Sequence, residues 1–268
     1  MSMINYQKKG SIGIVELDDP AALNALTPEG LTDLRNALAA CQDDEGVRVI
    51  ILTGAGDKAF CAGANLKKTF PPTHSFAKGA LSSKEVDAEN GGYTRLMDLS
   101  DLHIWKPMIA AINGYCLGGG FEMAMMGDFI VASESASFGL PEGKHSLIPG
   151  AGGTQNLPRL IGAPLAKELM WTGRRISGSE AKEYRIVNHV VETGKALTKV
   201  RAIVEEMKGV GPLSQMMTKQ SIDRGVDMSL QQGFMQEADL AYMLSWSDDR
   251  AEGLKAFSER RKPDFKGQ

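Results

Sequence analysis

The sequence predicts an α/β core followed by a helical C-terminal region, and three features carry that reading. Short apolar, β-branched runs such as "VRVIILTG" have the continuous hydrophobicity of strands buried on both faces. Such runs alternate with helical patterns as far as about residue 159. Beyond it the segments are mostly helical, with "IVNHVV" the last clear strand. The expected division is an α/β core over residues 1–200 and a helical region over 201–268.

From Ile4 to Leu17 two alternating apolar segments flank Lys9 and Gly10, the pattern of a hairpin. "LTPEGLTDLRNALAAC" then offers Thr27 as an N-cap and Pro28 at the first helical position, with Leu31, Leu34, Leu38 and Cys41 on one face. "VRVIILTG" is a buried strand ending in the glycine-punctuated loop "GAGDKAFCAGANL". Residues 69–92, with "FPPTH", "KGALSSK" and "ENGG", predict a long excursion of the kind that forms a lid or pocket wall. A helix is expected from there to Leu102. "PMIAAINGY" follows as a buried strand, Gly118–Gly120 as a turn, "FEMAMMGD" as a helix and "FIVAS" as a strand. The later helices are "APLAKELMWTG", "GSEAKEY", "KALTKVRAIVEEMK", "PLSQMMTKQSIDRG" and the run from Ser229 to Arg261. No tandem repeat of fixed period is present.

At 268 residues, 43% hydrophobic and 24% charged, the chain has the composition of a soluble globular protein with material for one large core. A net charge of −3 gives no overall attraction for nucleic acid or anionic membrane. The most apolar stretch, Met108 to Ala132, is interrupted by Asn113, Glu122 and Asp128 and does not read as a membrane span. The first residues lack the apolar core of a signal peptide and the arginine-rich character of a transit peptide, so a cytoplasmic protein is expected. Cys41, Cys61 and Cys116 fit neither a disulfide framework nor a zinc site, and the four histidines have no ligand spacing, so no metal is expected. A G-x-S-x-G elbow, a Walker loop and an H-E-x-x-H pair are all absent, and "GAGDKA" fails the dinucleotide fingerprint. Acid/base chemistry therefore falls mainly to carboxylates.

Two glycine-rich corners and two glutamates stand out. Gly118–Gly120 lies between a strand and a helix whose first N–H groups have no intrahelical partner. The "CAGAN" corner, Cys61 to Asn65, also follows a buried strand, and one N–H from each corner could make a two-donor oxyanion hole. Plainer readings stand beside these. The glycines suit a tight packing turn, Glu122 suits a helix-capping residue, and Glu142 in "FGLPEGKHS" suits a solvent-facing loop. "GAGGTQNLPRLIG" from Gly150 reads first as a glycine-rich helix start and second as an anion site.

Taken together, "NALT", "KAFCAGANLK", "KPMIAAINGYCLGGGFEMAMMGDFIVASESASFGLPE", "PGAGGTQNLPRLIG", "TGRRISGSEAKEYRIVNHVV" and "DDRAEGLKAFSERRKPDF" resemble the crotonase superfamily, and within it the enoyl-CoA hydratase/isomerase family. The resemblance runs nearly the whole chain and is specific as an ordered set. It implies a spiral of repeated β-β-α units, with C-terminal helices that complete the site and assemble the chain as a homotrimer or homohexamer. It implies an acyl-CoA thioester substrate and no cofactor beyond that coenzyme A moiety, while the charge and composition lead us to expect no nucleic-acid or membrane partner. Carried over by position, the oxyanion donors are the N–H groups of Ala64 and Gly119, and the catalytic carboxylates are Glu122 and Glu142. Ala62, Ala64, Asn65, Leu66, Lys67 and Gly119 would hold the CoA thioester, with Phe257 and Arg260 contributing from the last helix.

The implied reaction is reversible addition of water across the 2,3 double bond of a 2-enoyl-CoA. Alternatives are an enoyl-CoA isomerase, a dehydratase of a polar acyl-CoA such as a carnitinyl-CoA, a hydratase of aromatic acyl chains, or a non-catalytic acyl-CoA-binding or RNA-binding relative. Retention of both glutamates favours water addition or elimination. The scarcity of basic residues in the first helix argues against RNA. Asn65 stands where the family commonly has aspartate, and Leu140 and His145 are local departures that bear on the acyl group rather than on the reaction class.

Overall fold

The computed structural model describes residues 2–68 and 75–268. The chain divides into two compact units, one of Met1–Ile104 with Met108–Val200 and the other of Trp105–Pro107 with Arg201–Gln268.

The first unit is built on two sheets. A six-stranded sheet comprises β1 (Ile4–Lys9), β2 (Ile12–Leu17), β3 (Val49–Gly54), β5 (Met108–Ile112), β7 (Phe129–Ser133) and β10 (His189–Val191), in that spatial order. The β1–β2 pair is the expected antiparallel hairpin, and every later pairing is parallel. β3 and β5 are buried at every position, which accounts for their unbroken apolar sequences. A second sheet is made of very short strands, β4 (Ala59–Cys61), β6 (Tyr115–Leu117), β8 (Ser137–Gly139) and β9 (Ile176–Ser177).

Helix α1 (Pro28–Asp43) starts as its cap predicts, with the Thr27 hydroxyl accepting the Gly30 N–H at 3.1 Å. It buries Leu31, Leu34, Leu38 and Cys41, each leucine contributing about 1.5–3 kcal/mol. Asn24, in the left-handed region at φ 56°, is fully buried and ties three chain segments together. Its Nδ2 donates to the Ala55 and Ala59 carbonyls at 3.1 and 2.9 Å, and its Oδ1 accepts the Asp19 N–H at 2.9 Å.

The excursion after Lys68 is only partly visible, since residues 69–74 lie outside the described residues. The remainder forms two short helices, α2 (Phe76–Leu81) and α3 (Lys84–Glu89). The helix expected up to Leu102 is instead two 3₁₀ turns, Tyr93–Met97 and Ser100–Leu102. Two sets of bonds compete with a continuous helix: locally, Asp98 Oδ1 accepts both the N–H and the hydroxyl of Ser100, and from a distant segment Arg35 takes the Leu96 and Asp98 carbonyls. The remaining helices of this unit are α4 (Gly119–Ala124), α5 (Gly153–Ile161), α6 (Ala163–Thr172) and α7 (Gly178–Glu183). The division between units falls inside α8 (Ala196–Met207).

The second unit is helical. α9 (Pro212–Gly225) packs on α10 (Leu230–Ser245), which opens with a reciprocal cap between Ser229 and Gln232. α11 (Asp248–Ser258) is followed by an extended tail that the buried Asp249 holds through the N–H groups of Lys266 and Gly267, at 2.6 and 2.9 Å. No helix among the described residues is long and apolar enough to cross a membrane.

Candidate active site

The two glycine corners of the first unit meet. Leu26 forms an isolated parallel bridge with Ala64: its N–H donates to the Gly63 carbonyl and its carbonyl accepts the Asn65 N–H, both at 2.8 Å. A parallel bridge engages the residues on either side of its partner, so the N–H of Ala64 itself faces away from Leu26. It has no acceptor among the described residues. Gly63 makes this corner at φ 93°, and a β-carbon there would lie 3.0 Å from the Leu117 carbonyl and 3.5 Å from the Gly119 nitrogen. Only glycine allows so close an approach at that backbone angle.

Gly118, at φ 53° and ψ −130°, turns β6 into α4. Its carbonyl accepts the N–H groups of Phe121 and Glu122 at 2.9 and 3.0 Å, opening the helix and leaving the Gly119 N–H without an acceptor among the described residues. Two backbone donors, Ala64 and Gly119, thus flank one small-residue junction.

Both glutamates belong to the segments around this junction, Glu122 on α4 one turn from Gly119 and Glu142 against Gly118. Glu122 sits on α4 and is 3% exposed. It does not cap its own helix, contrary to the plainer sequence reading, because the Gly118 N–H that such a cap would bond donates to the Gly139 carbonyl at 2.9 Å. Its Oε1 instead accepts the N–H groups of Ala151 and Gly153 at 2.7 and 2.8 Å. The "GAGG" stretch is therefore an anion site whose anion is the protein's own carboxylate. Burial pushes the Glu122 carboxyl up, and the two N–H donors partly offset this.

Glu142 follows β8 at the start of a 3₁₀ turn and is half-buried rather than solvent-facing. Its Oε1 lies 3.2 Å from where a β-carbon of Gly118 would stand, and its Oε2 is buried with no hydrogen-bond partner among the described residues. Burial raises its carboxyl to about 7, its own N–H partly opposes this, and the Glu122 charge adds to the rise. Two carboxyls displaced in the same direction, beside two backbone donors, form an arrangement suited to moving protons on a substrate whose oxygen is held by those donors.

Ala62, Ala64 and Asn65 are half-buried, whereas Leu66 and Lys67 are exposed. A cleft of about 360 Å³ lies beside this segment, lined by residues including Pro20, Leu23, Asn24 and Lys58. Its Leu23 carbonyl accepts the Ala62 N–H at 3.1 Å. In the second unit, Phe257 is an exposed side chain of α11, and Arg260 lies just beyond it at φ 53°. Cys61 and Cys116 are register partners on β4 and β6 and are fully buried, burial pushing the Cys61 thiol up to about 12. They back the corners as packing. No cluster among the described residues could hold a metal ion. Sequence reasoning missed the N–H groups of Ala151 and Gly153 as partners of Glu122. The signal was the second, minority reading of their glycines.

Residues 7–268 match the family model described as enoyl-CoA hydratase/isomerase. The chain is 39% identical over 264 residues to the (E)-benzylidenesuccinyl-CoA hydratase of Thauera aromatica, covering 98% of this chain and 99% of that one. It is 36% identical over 262 residues to the crotonyl-CoA hydratase of Syntrophomonas wolfei, covering 98% and 97%. The crystal structure of an enoyl-CoA hydratase from Bacillus anthracis superposes with a TM-score of 0.88 at 38% identity, covering 100% of both chains. With its crotonase-type α/β fold and the matched sequence spanning nearly its full length, the chain belongs to the enoyl-CoA hydratase/isomerase family of the crotonase superfamily.

Proposed function

We propose that this protein is an enoyl-CoA hydratase, adding water reversibly across the 2,3 double bond of a 2-enoyl-CoA thioester. The observation that carries the reading is the placing of Glu142 against Gly118 and of Glu122 one helical turn from Gly119, with the N–H groups of Ala64 and Gly119 unpartnered among the described residues. A thioester is a weak resonance donor, so its α-carbon takes on enolate character when the carbonyl oxygen is stabilised. Two preorganised N–H groups supply that stabilisation, and losing one such donor typically costs about 3–4 kcal/mol. One glutamate orients and activates a water over the β-carbon, and the other delivers a proton to the α-carbon. The Glu122 charge helps to raise the Glu142 carboxyl, so the two roles are assigned to the pair together. Hydration is preferred to double-bond isomerisation because both carboxyls are present, and two of the relatives above are named as hydratases of CoA thioesters.

In this reading the segment from Ala62 to Lys67 and the neighbouring cleft receive the CoA moiety. The chain needs no cofactor beyond that CoA and works in the cytoplasm. The exposed Val226, Leu230, Phe234 and Trp246 are the apolar surface through which it would assemble as a homotrimer or homohexamer. Sedimentation of the purified protein as a monomer would defeat that assembly. The test of the activity is loss of the conjugated enoyl-thioester absorbance with a panel of 2-enoyl-CoAs. Native protein should consume at least one of them, and Glu122→Gln and Glu142→Gln should each be severely impaired. Equal rates in native and variant proteins would sink the mechanism.

A further inference from the structure

The molecule also carries a clamp that the chemistry above does not use. Arg35 lies on the otherwise apolar inner face of α1 and is 7% exposed. Its Nη1 donates to the Leu96 and Asp98 carbonyls at 3.3 and 2.7 Å, and its Nη2 to Asp101 Oδ2 at 2.5 Å. The two carbonyls belong to the residues immediately before and after Met97, so a guanidinium rooted in a core helix fixes the Met97 backbone from both sides. Lys84 closes the arrangement from α3, its Nζ donating to the Asp98 carbonyl, Asp98 Oδ2 and Asp101 Oδ1 at 3.0, 3.0 and 3.1 Å.

What the clamp delivers is the Met97 side chain. It is 5% exposed, and a β-carbon on Gly119 would come within 2.9 Å of its Cε and 3.2 Å of its Sδ, with Leu26 Cδ1 at 3.3 Å. A carbonyl oxygen accepting the Gly119 N–H would sit about 2.9 Å from that nitrogen. The acyl carbons attached to it are then within one side chain's reach of Met97. A buried guanidinium is a poor source of net stability compared with a well-packed aliphatic side chain, because of its desolvation. Its planar fork can hold three acceptors in fixed positions, which an aliphatic chain cannot.

We propose that Met97 limits the size of the acyl group beside the thioester, and that Arg35, which itself touches no substrate, is the positioning residue that holds Met97 there. The proposal rests on the acyl-CoA reading above and deepens it. It predicts acyl selectivity, where Glu122 and Glu142 govern turnover.

The test compares dissociation constants for butyryl-CoA and the bulkier 3-phenylpropanoyl-CoA by titration calorimetry. Neither thioester can be hydrated, so binding is read apart from turnover. Met97→Ala should shift the ratio of the two constants toward the bulkier ligand by about tenfold or more, the usual penalty for misfit of a few methylenes in an apolar pocket. Arg35→Met should move the ratio the same way by a smaller factor, and Arg35→Lys should recover part of the native ratio. Asp101→Asn, at a carboxyl that is 46% exposed, loosens Arg35 without emptying the core and serves if Arg35→Met does not fold. An unchanged ratio in Met97→Ala overturns the size limit. A ratio moved by Met97→Ala but by neither Arg35→Met nor Asp101→Asn overturns the positioning role. Binding of both esters without turnover of any enoyl-CoA would defeat the hydratase reading while leaving these ratios decisive, and no binding of either ester by the native protein would overturn both.

Discussion

Replacing Glu142 with glutamine should make the protein more stable at alkaline pH while removing most of its activity. The Glu142 carboxyl is raised from 4.5 to about 7, chiefly by burial and further by the Glu122 charge. The folded state therefore holds this proton more tightly than the unfolded chain. The associated stability is intact below about pH 4.5 and is lost as pH rises through about 7. The gap of 7 minus 4.5, about 2.5, at about 1.4 kcal/mol each sets a ceiling of about 3.5 kcal/mol. Because the group is only half-buried, solvent screening reduces this to about 1–2 kcal/mol. An amide cannot ionise, so the variant escapes that loss. Urea unfolding of native protein and variant at about pH 5 and about pH 8.5 measures it. Native protein should lose more stability between the two pH values than the variant does. A residual slope is expected in both, since Glu122 is raised in the same direction. Identical pH dependence in the two proteins would show that folding does not raise the Glu142 carboxyl.

Other substitutions separate the parts of the site. Glu122→Ala leaves the Ala151 and Gly153 N–H groups without their acceptor and should cost about 2–4 kcal/mol in urea unfolding, whereas Glu122→Gln keeps an acceptor oxygen and should cost less while still suppressing turnover. Gly63→Ala forces a side chain into φ 93° and against the Leu117 carbonyl, so it should destabilise by about 1–3 kcal/mol and lower kcat on any accepted enoyl-CoA. Asn24→Ala removes three side-chain hydrogen bonds, one buried and two part-buried, and should lower stability by about 2–4 kcal/mol in urea unfolding, with its effect on kcat following the Ala62–Asn65 corner.

Much of the first unit was legible from local pattern alone. The hairpin before Leu17, the capped helix from Pro28 and the unbroken strands at Val49 and Met108 each follow from alternation, capping chemistry or full burial. The second sheet was not, because strands of two or three residues are too short to show a period. The segment from Tyr93 to Leu102 has helical spacing, yet its carbonyls bond to Arg35, a partner some sixty positions away that no local pattern reports. The same limit applies to the site. Spacing could show that Gly119 and Glu122 share one turn of helix. It could not show that the Gly63 corner abuts Gly119, that Glu142 lies against Gly118, or that Ala151 and Gly153 hold Glu122. Those are contacts between distant segments, and the ordered set of family motifs was what joined them on the sequence.

Whether this junction adds water is read from the mass of the product formed from a 2-enoyl-CoA. Native protein should yield a thioester heavier by one water, carrying deuterium at the α-carbon when the reaction is run in heavy water, with Glu122→Gln and Glu142→Gln each yielding little. A product of unchanged mass with a shifted double bond, or undiminished water addition by either variant, would contradict the proposed hydration.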